Sequence, residues 1–188
     1  MRKALIVVAV VVLIAIAVIA SMLHHGFSAH DEPTAMESFL AGVMRRAAVP
    51  AELKRAKNPV PLTPAVLAEA RAHFADHCAL CHGNDGKGKT ELGRNLYPRV
   101  PDMTLPSTQS QSDGEVFATI ENGVRMTGMP AWGNGSAASR RASWALVHFI
   151  RHLPKLTPRE LEEMKSLNPM TPAEMKEQRE EEEFLEGK

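Results

Sequence analysis

Both cysteines of this 188-residue chain lie in one pentapeptide, Cys78-Ala79-Leu80-Cys81-His82. The spacing C-x-x-C-H is typical of covalent haem attachment. Two thiols three residues apart near a helix end can each add to one vinyl group of the same porphyrin, and the adjacent histidine then lies beneath the iron. The sequence therefore predicts one covalently bound haem c, with Cys78 and Cys81 as thioether attachments and His82 as an iron ligand.

Other uses of a cysteine pair fit this sequence less well. A thioredoxin-like pair is expected near a βαβ unit, and the sequence pattern contains none. Structural zinc usually takes four Cys or His ligands, and His73, His77, His148 and His152 do not reproduce a zinc-finger spacing. A disulfide between cysteines this close would close a very small loop and stabilise little. Haem attachment is the favoured interpretation.

The first part of the chain is long and apolar enough to cross a bilayer. Residues 4–23 carry no charge, and the first seventeen of them are all Ala, Val, Ile or Leu. As a helix they would span about 30 Å, the thickness of the hydrocarbon core. Arg2 and Lys3 precede the stretch and the next lysine or arginine is Arg45, which predicts a cytoplasmic N-terminus and an exported remainder.

A cleaved signal peptide is the alternative for this stretch. Val18-Ile19-Ala20 before Ser21 resembles a small-residue cleavage site, but signal h-regions usually span about 7–15 residues. A retained single-pass anchor is therefore favoured, and both interpretations export the same domain. We expect the protein at a bacterial cytoplasmic membrane, with its haem domain on the periplasmic side.

Proline, glycine and charge patterns divide the chain into four segments. These are an anchor or signal at 1–23, a periplasmic tether at 24–62, a haem domain at 63–154 and an acidic helical tail at 155–188. The tether contains apolar residues at helical spacing, which predict a short amphipathic helix at about 34–48. They are Met36, Phe39, Leu40, Val43, Met44 and Ala47. The prolines at 59, 61 and 64 predict an extended connector after it.

The domain is predicted to be all-α. Thr63 before Pro64 starts a helix to about residue 77, and Ser112 with Glu115 forms a capping box for a helix at about 113–122. A third helix is expected at about 138–152, and no stretch alternates long enough to predict a strand. In the tail, Thr157 and Thr171 each precede a first-turn proline and a glutamate at capping-box spacing.

Met129 is the candidate for the sixth iron ligand. An iron that only transfers electrons needs a further ligand, and a thioether is one that raises the reduction potential. Met129 lies between Gly128, which lets the backbone approach closely, and Pro130, which restrains the next turn. Met126 and Met103 are competing candidates, for which packing is the expected role.

The remaining histidines have weaker claims to metal binding. His148 and His152 form an i, i+4 pair, which is usually surface or helix packing when no further ligand is present. His24, His25 and His30 are expected to mark the tether or the membrane interface.

The two motifs CALCH and NGVRMTGMPAWG together resemble those of the class I monohaem cytochrome c domain, over about residues 64–154. The resemblance implies N- and C-terminal helices that cross near the haem edge, His82 as proximal ligand and Met129 as distal ligand. It also implies a loop-proline carbonyl that accepts the proximal histidine's N–H, and Pro98 is the candidate for this role.

A haem would supply apolar core to a small domain that has few aromatic residues. Eight residues are candidates to line it, and each is equally plausible as ordinary core. They are Phe74, Leu96, Tyr97, Ile120, Trp132, Trp144, Leu146 and Phe149.

The charge balance of 22 basic and 22 acidic side chains gives no support for a nucleic-acid binder. The charges are segregated, with net +5 over residues 1–158 and net −5 over 159–188. We expect a membrane-tethered electron carrier that has redox protein partners and no organic substrate, and that is not an enzyme. The alternatives are a haem enzyme or ligand-binding protein with a weak sixth ligand, and a haem subunit of a larger respiratory or dehydrogenase complex.

Overall fold

The computed structural model describes residues 2–25, 28–170 and 172–185, and within these ranges it contains helices and no strand. The helices are α1 (Arg2–His25), α2 (Ala35–Ala48), α3 (Ala51–Arg55), α4 (Pro64–His73), α5 (Ala79–His82), α6 (Glu91–Arg94), α7 (Pro106–Gln109), α8 (Asp113–Asn122), α9 (Ala137–His152), α10 (Pro158–Lys165) and α11 (Pro172–Leu185). The predicted all-α class is confirmed.

Three of the predicted capping residues form hydrogen bonds at the starts of their helices. Thr63 accepts a hydrogen bond from the Val66 amide at the start of α4, and Ser112 and Glu115 form a reciprocal capping box on α8. Thr157 caps α10 in the same way. Thr171, the predicted cap of α11, lies outside the described residues.

The helix that begins at Pro64 does not end near residue 77 as predicted. It continues through a π-helical turn, Phe74–Cys78, into α5 and stops at Gly83. Buried Phe74, Ala75 and Ala79 hold this continuation against the core. Gly83 has a φ of 72°, which ends the helix because other residues rarely adopt this conformation.

The core forms where α4 and the π-helical turn pack against α9, which is the most extensive contact between helices. Phe74 and Phe149 lie with ring centroids 5.0 Å apart, and Phe117 of α8 stacks on Trp144 at 4.1 Å. Such aromatic pairs supply large buried area at defined geometry. The N- and C-terminal helices of the domain, which the family resemblance implied would meet, are therefore packed together.

Residues of the predicted tether also pack on this core. The sequence predicted no helix after α2, yet α3 forms, and Leu53, Ala56 and Val60 contact buried residues. The Asn58 side chain donates to the Trp144 carbonyl at 2.8 Å, and His148 Nε2 lies 2.7 Å from the Val60 carbonyl. The segment before Pro64 is thus fastened to α9.

The start of the acidic tail is likewise built into the core. Met164 of α10 is fully buried. Arg71 of α4 pairs with Glu160 at 3.4 Å and Glu163 at 2.8 Å, and His152 of α9 lies 2.8 Å from Glu160. Contacts therefore cross both predicted limits of the 63–154 domain.

The side chains of the N-terminal helix α1 are exposed at every position whose burial the structure describes. Residues 2–21 are long and apolar enough, by length and composition, to cross a membrane. Such a helix near the N-terminus also fits a signal sequence.

Candidate haem site

The cysteine motif lies where the π-helical turn passes into α5, at one edge of the core. Cys78 and Cys81 are both half-buried and their thiols are not joined to each other. Burial, and secondarily the neighbouring Cys81, raise the pKa of Cys78 to about 12, and burial also raises the pKa of Cys81. Disulfide-exchange enzymes need the opposite, a thiol whose pKa is lowered. The site therefore does not suit a redox-active dithiol.

His82 follows the cysteines at the end of α5 and is held as a neutral imidazole. Burial lowers the pKa of His82 to about 4, and its Nδ1 is buried without a hydrogen-bond partner among the described residues. Neutral imidazole is the form that binds metals. A neutral histidine that follows two uncharged thiols in the sequence fits the haem that the motif implies.

The expected hydrogen bond from His82 to the Pro98 carbonyl is not present. The Nδ1 atom of His82 has no acceptor in the described part of the chain, so Pro98 does not fill the role that the family resemblance implied.

A tight loop after α5 fixes the backbone of the motif. The Gly88 amide donates to the His82 carbonyl at 2.7 Å, and the Thr90 hydroxyl donates to the Cys81 carbonyl at 3.0 Å. Gly93 packs so closely that an added Cβ would lie 2.5 Å from the Cys81 carbonyl oxygen. The sequence analysis did not single out Thr90 or Gly93, although Thr90 followed by Glu91 is a helix-start signal that points to this turn.

The loop that carries Met129 is closed by its own hydrogen bonds. The Val124 amide donates to the Met129 carbonyl at 3.0 Å, and the Met129 amide donates to the Thr127 hydroxyl at 3.1 Å. Gly128 lies against Leu96, since an added Cβ would approach both δ-carbons of Leu96 to 2.8 Å. Met129 is half-buried in this loop.

The competing methionines take other positions. Met126 is 90% exposed and has a φ of 60°, so its side chain lies in solvent at the tip of the loop. Met103 is buried among core residues, as the packing interpretation predicted. Met129 is thus the half-buried member of the three candidates.

The other histidines have protein partners instead of forming a metal site. His148 bonds the Val60 carbonyl and His152 bonds Glu160. His73 and His77 lie edge to face at 4.8 Å, and His77 in turn contacts the Trp132 ring at 5.6 Å. Within the described ranges, no group of three or more His, Cys, Asp or Glu side chains could hold a metal ion.

The predicted lining residues fall into two sets. Five of them are buried in the protein core: Phe74, Ile120, Trp144, Leu146 and Phe149. Leu96 is half-buried, and Tyr97 and Trp132 each keep 37% of their surface exposed. Exposed Leu80 and Leu92 add apolar surface near the motif.

A helical domain with one covalent attachment motif and one half-buried methionine loop defines a small haem protein of the cytochrome c class. Residues 65–150 match the family model described as "Cytochrome C oxidase, cbb3-type, subunit III". The match runs from α4 to α9 and includes both the cysteine motif and the Met129 loop. The chain therefore contains a monohaem c-type cytochrome domain, and its cofactor is a covalently bound haem c with iron.

Proposed function

We propose that this protein is a membrane-tethered electron carrier in which Cys78 and Cys81 hold the haem and His82 and Met129 are its axial ligands. The observation that carries the proposal is His82, which directly follows Cys81: partial burial keeps its imidazole neutral, and its buried Nδ1 has no hydrogen-bond partner among the described residues. When bound, haem c supplies a one-electron ferric–ferrous couple. The cytochrome domain itself supports an electron-transfer role.

The residues of the chain would set the properties of that couple. Burial of His82 keeps the imidazole unprotonated down to acidic pH, so the ligand stays available. A Met129 thioether would raise the reduction potential, and the hydrogen bonds of its loop would limit the reach of the side chain. Partly buried apolar side chains near the motif would restrict the access of water.

Tethering would follow from α1. A single apolar helix preceded by Arg2 and Lys3 supports an N-terminus in the cytoplasm and a haem domain on the outer face of the membrane. An anchor keeps the carrier at high local concentration beside membrane-bound partners.

We also propose that the haem-binding unit extends from α3 to α10. The contacts of Asn58 and Val60 with α9 support its N-terminal limit, and buried Met164 supports its C-terminal limit.

A redox titration followed by haem spectra tests the ligand set, using Met129→Ala with Met126→Ala as the matched control. We expect Met129→Ala to lose the ferric sulfur-to-iron band, to lower the reduction potential and to bind carbon monoxide when reduced. Met126→Ala should behave as wild type because its side chain lies in solvent. If the reduced wild-type protein already binds carbon monoxide readily and Met129→Ala changes nothing, the electron-carrier proposal is wrong. The protein would then be a ligand-binding or enzymatic haem protein.

A second candidate function is that of a haem subunit in a larger respiratory complex. The description of the matching family, an oxidase subunit, favours it. Purification in mild detergent with and without residues 171–188 separates the two, because this truncation spares α10. A partner lost on truncation would indicate a complex subunit, whereas a protein that purifies alone in both forms would indicate a free carrier.

A further inference from the structure

The amphipathic helix α2 has one face turned to the haem domain and an apolar face turned away from it. Met36, Phe39, Leu40, Val43 and Met44 form the apolar face, here called the α2 stripe, and each is between 50% and 70% exposed. No residue of α2 is buried. Five large exposed apolar side chains on one helix face indicate a surface that binds another apolar surface, such as a protein or a membrane.

Polar contacts fix which way the stripe points. Arg45, on the opposite side of the helix, donates to the Gln111 side chain at 3.2 Å. Just before α2, Arg99 pairs with Glu32 at 3.2 Å and donates to the His30 carbonyl at 3.4 Å. Because the haem domain holds the polar side of this segment, the stripe is left facing outward.

The position of α2 along the chain places it beside the proposed anchor. Nine residues separate the end of α1 at His25 from the start of α2 at Ala35, and nine extended residues reach at most about 30 Å. The stripe is therefore confined near the bilayer surface whenever α1 spans the membrane. Exposed Arg46 at the end of α2 suits anionic lipid headgroups.

We infer that α2 lies in the plane of the membrane, with the α2 stripe inserted at the boundary between headgroups and acyl chains of the bilayer that holds α1. The inference rests on the proposed membrane tether. An apolar face over a polar face, on a helix of 14 residues that is too short to span, is typical of interfacial helices. The haem domain is then held against the membrane in one orientation, with α2 as its second contact.

Fluorescence quenching tests this arrangement in the full-length holoprotein, reconstituted in vesicles of phosphatidylcholine and phosphatidylglycerol. A bimane label is attached to one added cysteine, in Val43→Cys on the stripe or in Ala41→Cys. These positions are two residues apart and so lie on nearly opposite sides of a helix. The quenchers are dibrominated phosphatidylcholine in the bilayer and iodide in the water.

We expect the label at position 43 to be quenched by the brominated lipid and protected from iodide, and the label at position 41 to show the reverse. Equal iodide quenching at both positions would overturn the inference. Protection of the position-43 label from both quenchers would also overturn it, since protein, such as a second copy of the chain, would then cover the stripe.

Two further variants separate this inference from the proposed function and from misfolding. A label in Val11→Cys reports whether α1 is in the bilayer. If the brominated lipid does not quench this label, the proposed membrane tether is wrong. If it quenches the position-11 label but not the position-43 label, the tether is retained and only the inference about α2 is wrong. Adding Met36→Ser and Phe39→Ser should cut the lipid quenching at position 43, whereas Ala41→Ser with Ala48→Ser should not. Unchanged quenching in the stripe variant would contradict the inference, and haem absorbance verifies that each variant is folded.

Discussion

Burial is the main cause of the pKa shifts of three groups in the candidate haem site, Cys78, Cys81 and His82. Burial raises the pKa of both thiols and lowers that of the imidazole, so all three are uncharged at neutral pH. The neutral imidazole is the form that can ligate iron. Thiols with raised pKa values suit covalent attachment better than they suit thiolate chemistry. The residues around them, Gly88 and Gly93 above all, hold the backbone that carries these groups.

Gly93→Ala is predicted to damage the haem site. Its Cβ would lie 2.5 Å from the Cys81 carbonyl oxygen and 2.6 Å from that of Gly88, so the loop must move. Overpacking of this kind costs about 1–3 kcal/mol. We expect lower haem content and a lower urea midpoint, measured by haem absorbance and denaturation.

The control is Gly42→Ala in α2, where an added Cβ meets no atom within 4 Å. Replacing glycine within a helix should stabilise slightly or change little. Wild-type haem content and stability in Gly93→Ala would show that the loop is more adaptable than its contacts indicate.

At the scale of the element, the acidic tail divides into two parts that differ in how they pack. Helix α10 packs Met164 into the core and pairs Glu160 and Glu163 with Arg71 of α4. Helix α11 leaves Phe184 exposed, together with most of its charges. One part therefore packs on the core, and the other is exposed to solvent.

Met164→Ala is predicted to lower the free energy of unfolding by about 2–5 kcal/mol, because it leaves a cavity in a fully buried position. The matched control is Met175→Ala in α11, which is exposed and should stay within about 0.5 kcal/mol of wild type. Urea denaturation of both variants checks this. Equal stability of the two would mean that α10 does not pack on the core in solution.

Glu160 predicts a pH dependence of stability. Partial burial acts to raise the pKa of Glu160, but hydrogen bonds from Thr157 and His152 outweigh it and lower the value to about 2. Because the folded pKa is below the ordinary value of 4.5, this stabilisation is present above pH 4.5 and is lost as the pH falls toward 2.

We expect Glu160→Gln to cost about 1–3 kcal/mol at neutral pH, a difference that shrinks between pH 4.5 and about 2. Denaturation across that range measures it. The control Glu162→Gln, whose side chain is well exposed, should leave the pH profile unchanged. Parallel profiles for wild type and Glu160→Gln would contradict the assignment.

At the scale of the whole molecule, a neutral total charge conceals two opposed regions. Residues 1–158 carry net +5 and residues 159–188 carry net −5. Segment 171–188 holds seven acidic and three basic side chains, so its removal would change the net charge from 0 to +4. We therefore expect the tail to change the electrostatic field through which charged molecules approach the rest of the protein.

Truncation after residue 170 is predicted to speed oxidation of the reduced protein by ferricyanide, an anion, at low ionic strength. The gain should vanish near 1 M salt, where the Debye length is about 3 Å. Stopped-flow kinetics at several salt concentrations measure it, and unfolding midpoints should match the full chain because α10 remains. Identical rates at every ionic strength would show that the tail does not influence approach to the haem.

Local chemistry explains what the sequence determined by itself. The cysteine motif, the apolar N-terminal helix, the ends of α8 and the cap of α4 depend on neighbouring residues, so spacing and capping signals are enough to predict them. The continuation of α4 to His82 was missed because burial of Phe74 and Ala75 sustains it, and burial depends on distant α9.

Only the tertiary structure decided which segments pack on the core. The sequence assigned α3 to a tether and α10 to an acidic helical tail, since neither carries a local sign of its partners, which lie on α8 for α3 and on α4 and α9 for α10. From the sequence, Met129 was the candidate for the sixth iron ligand and Met126, three residues earlier, was a competing candidate. The folded loop distinguishes the two, because Met126 is exposed and Met129 is half-buried. Burial is a property of contacts between distant residues, and for that reason the neutral thiols and imidazole emerge only from the fold.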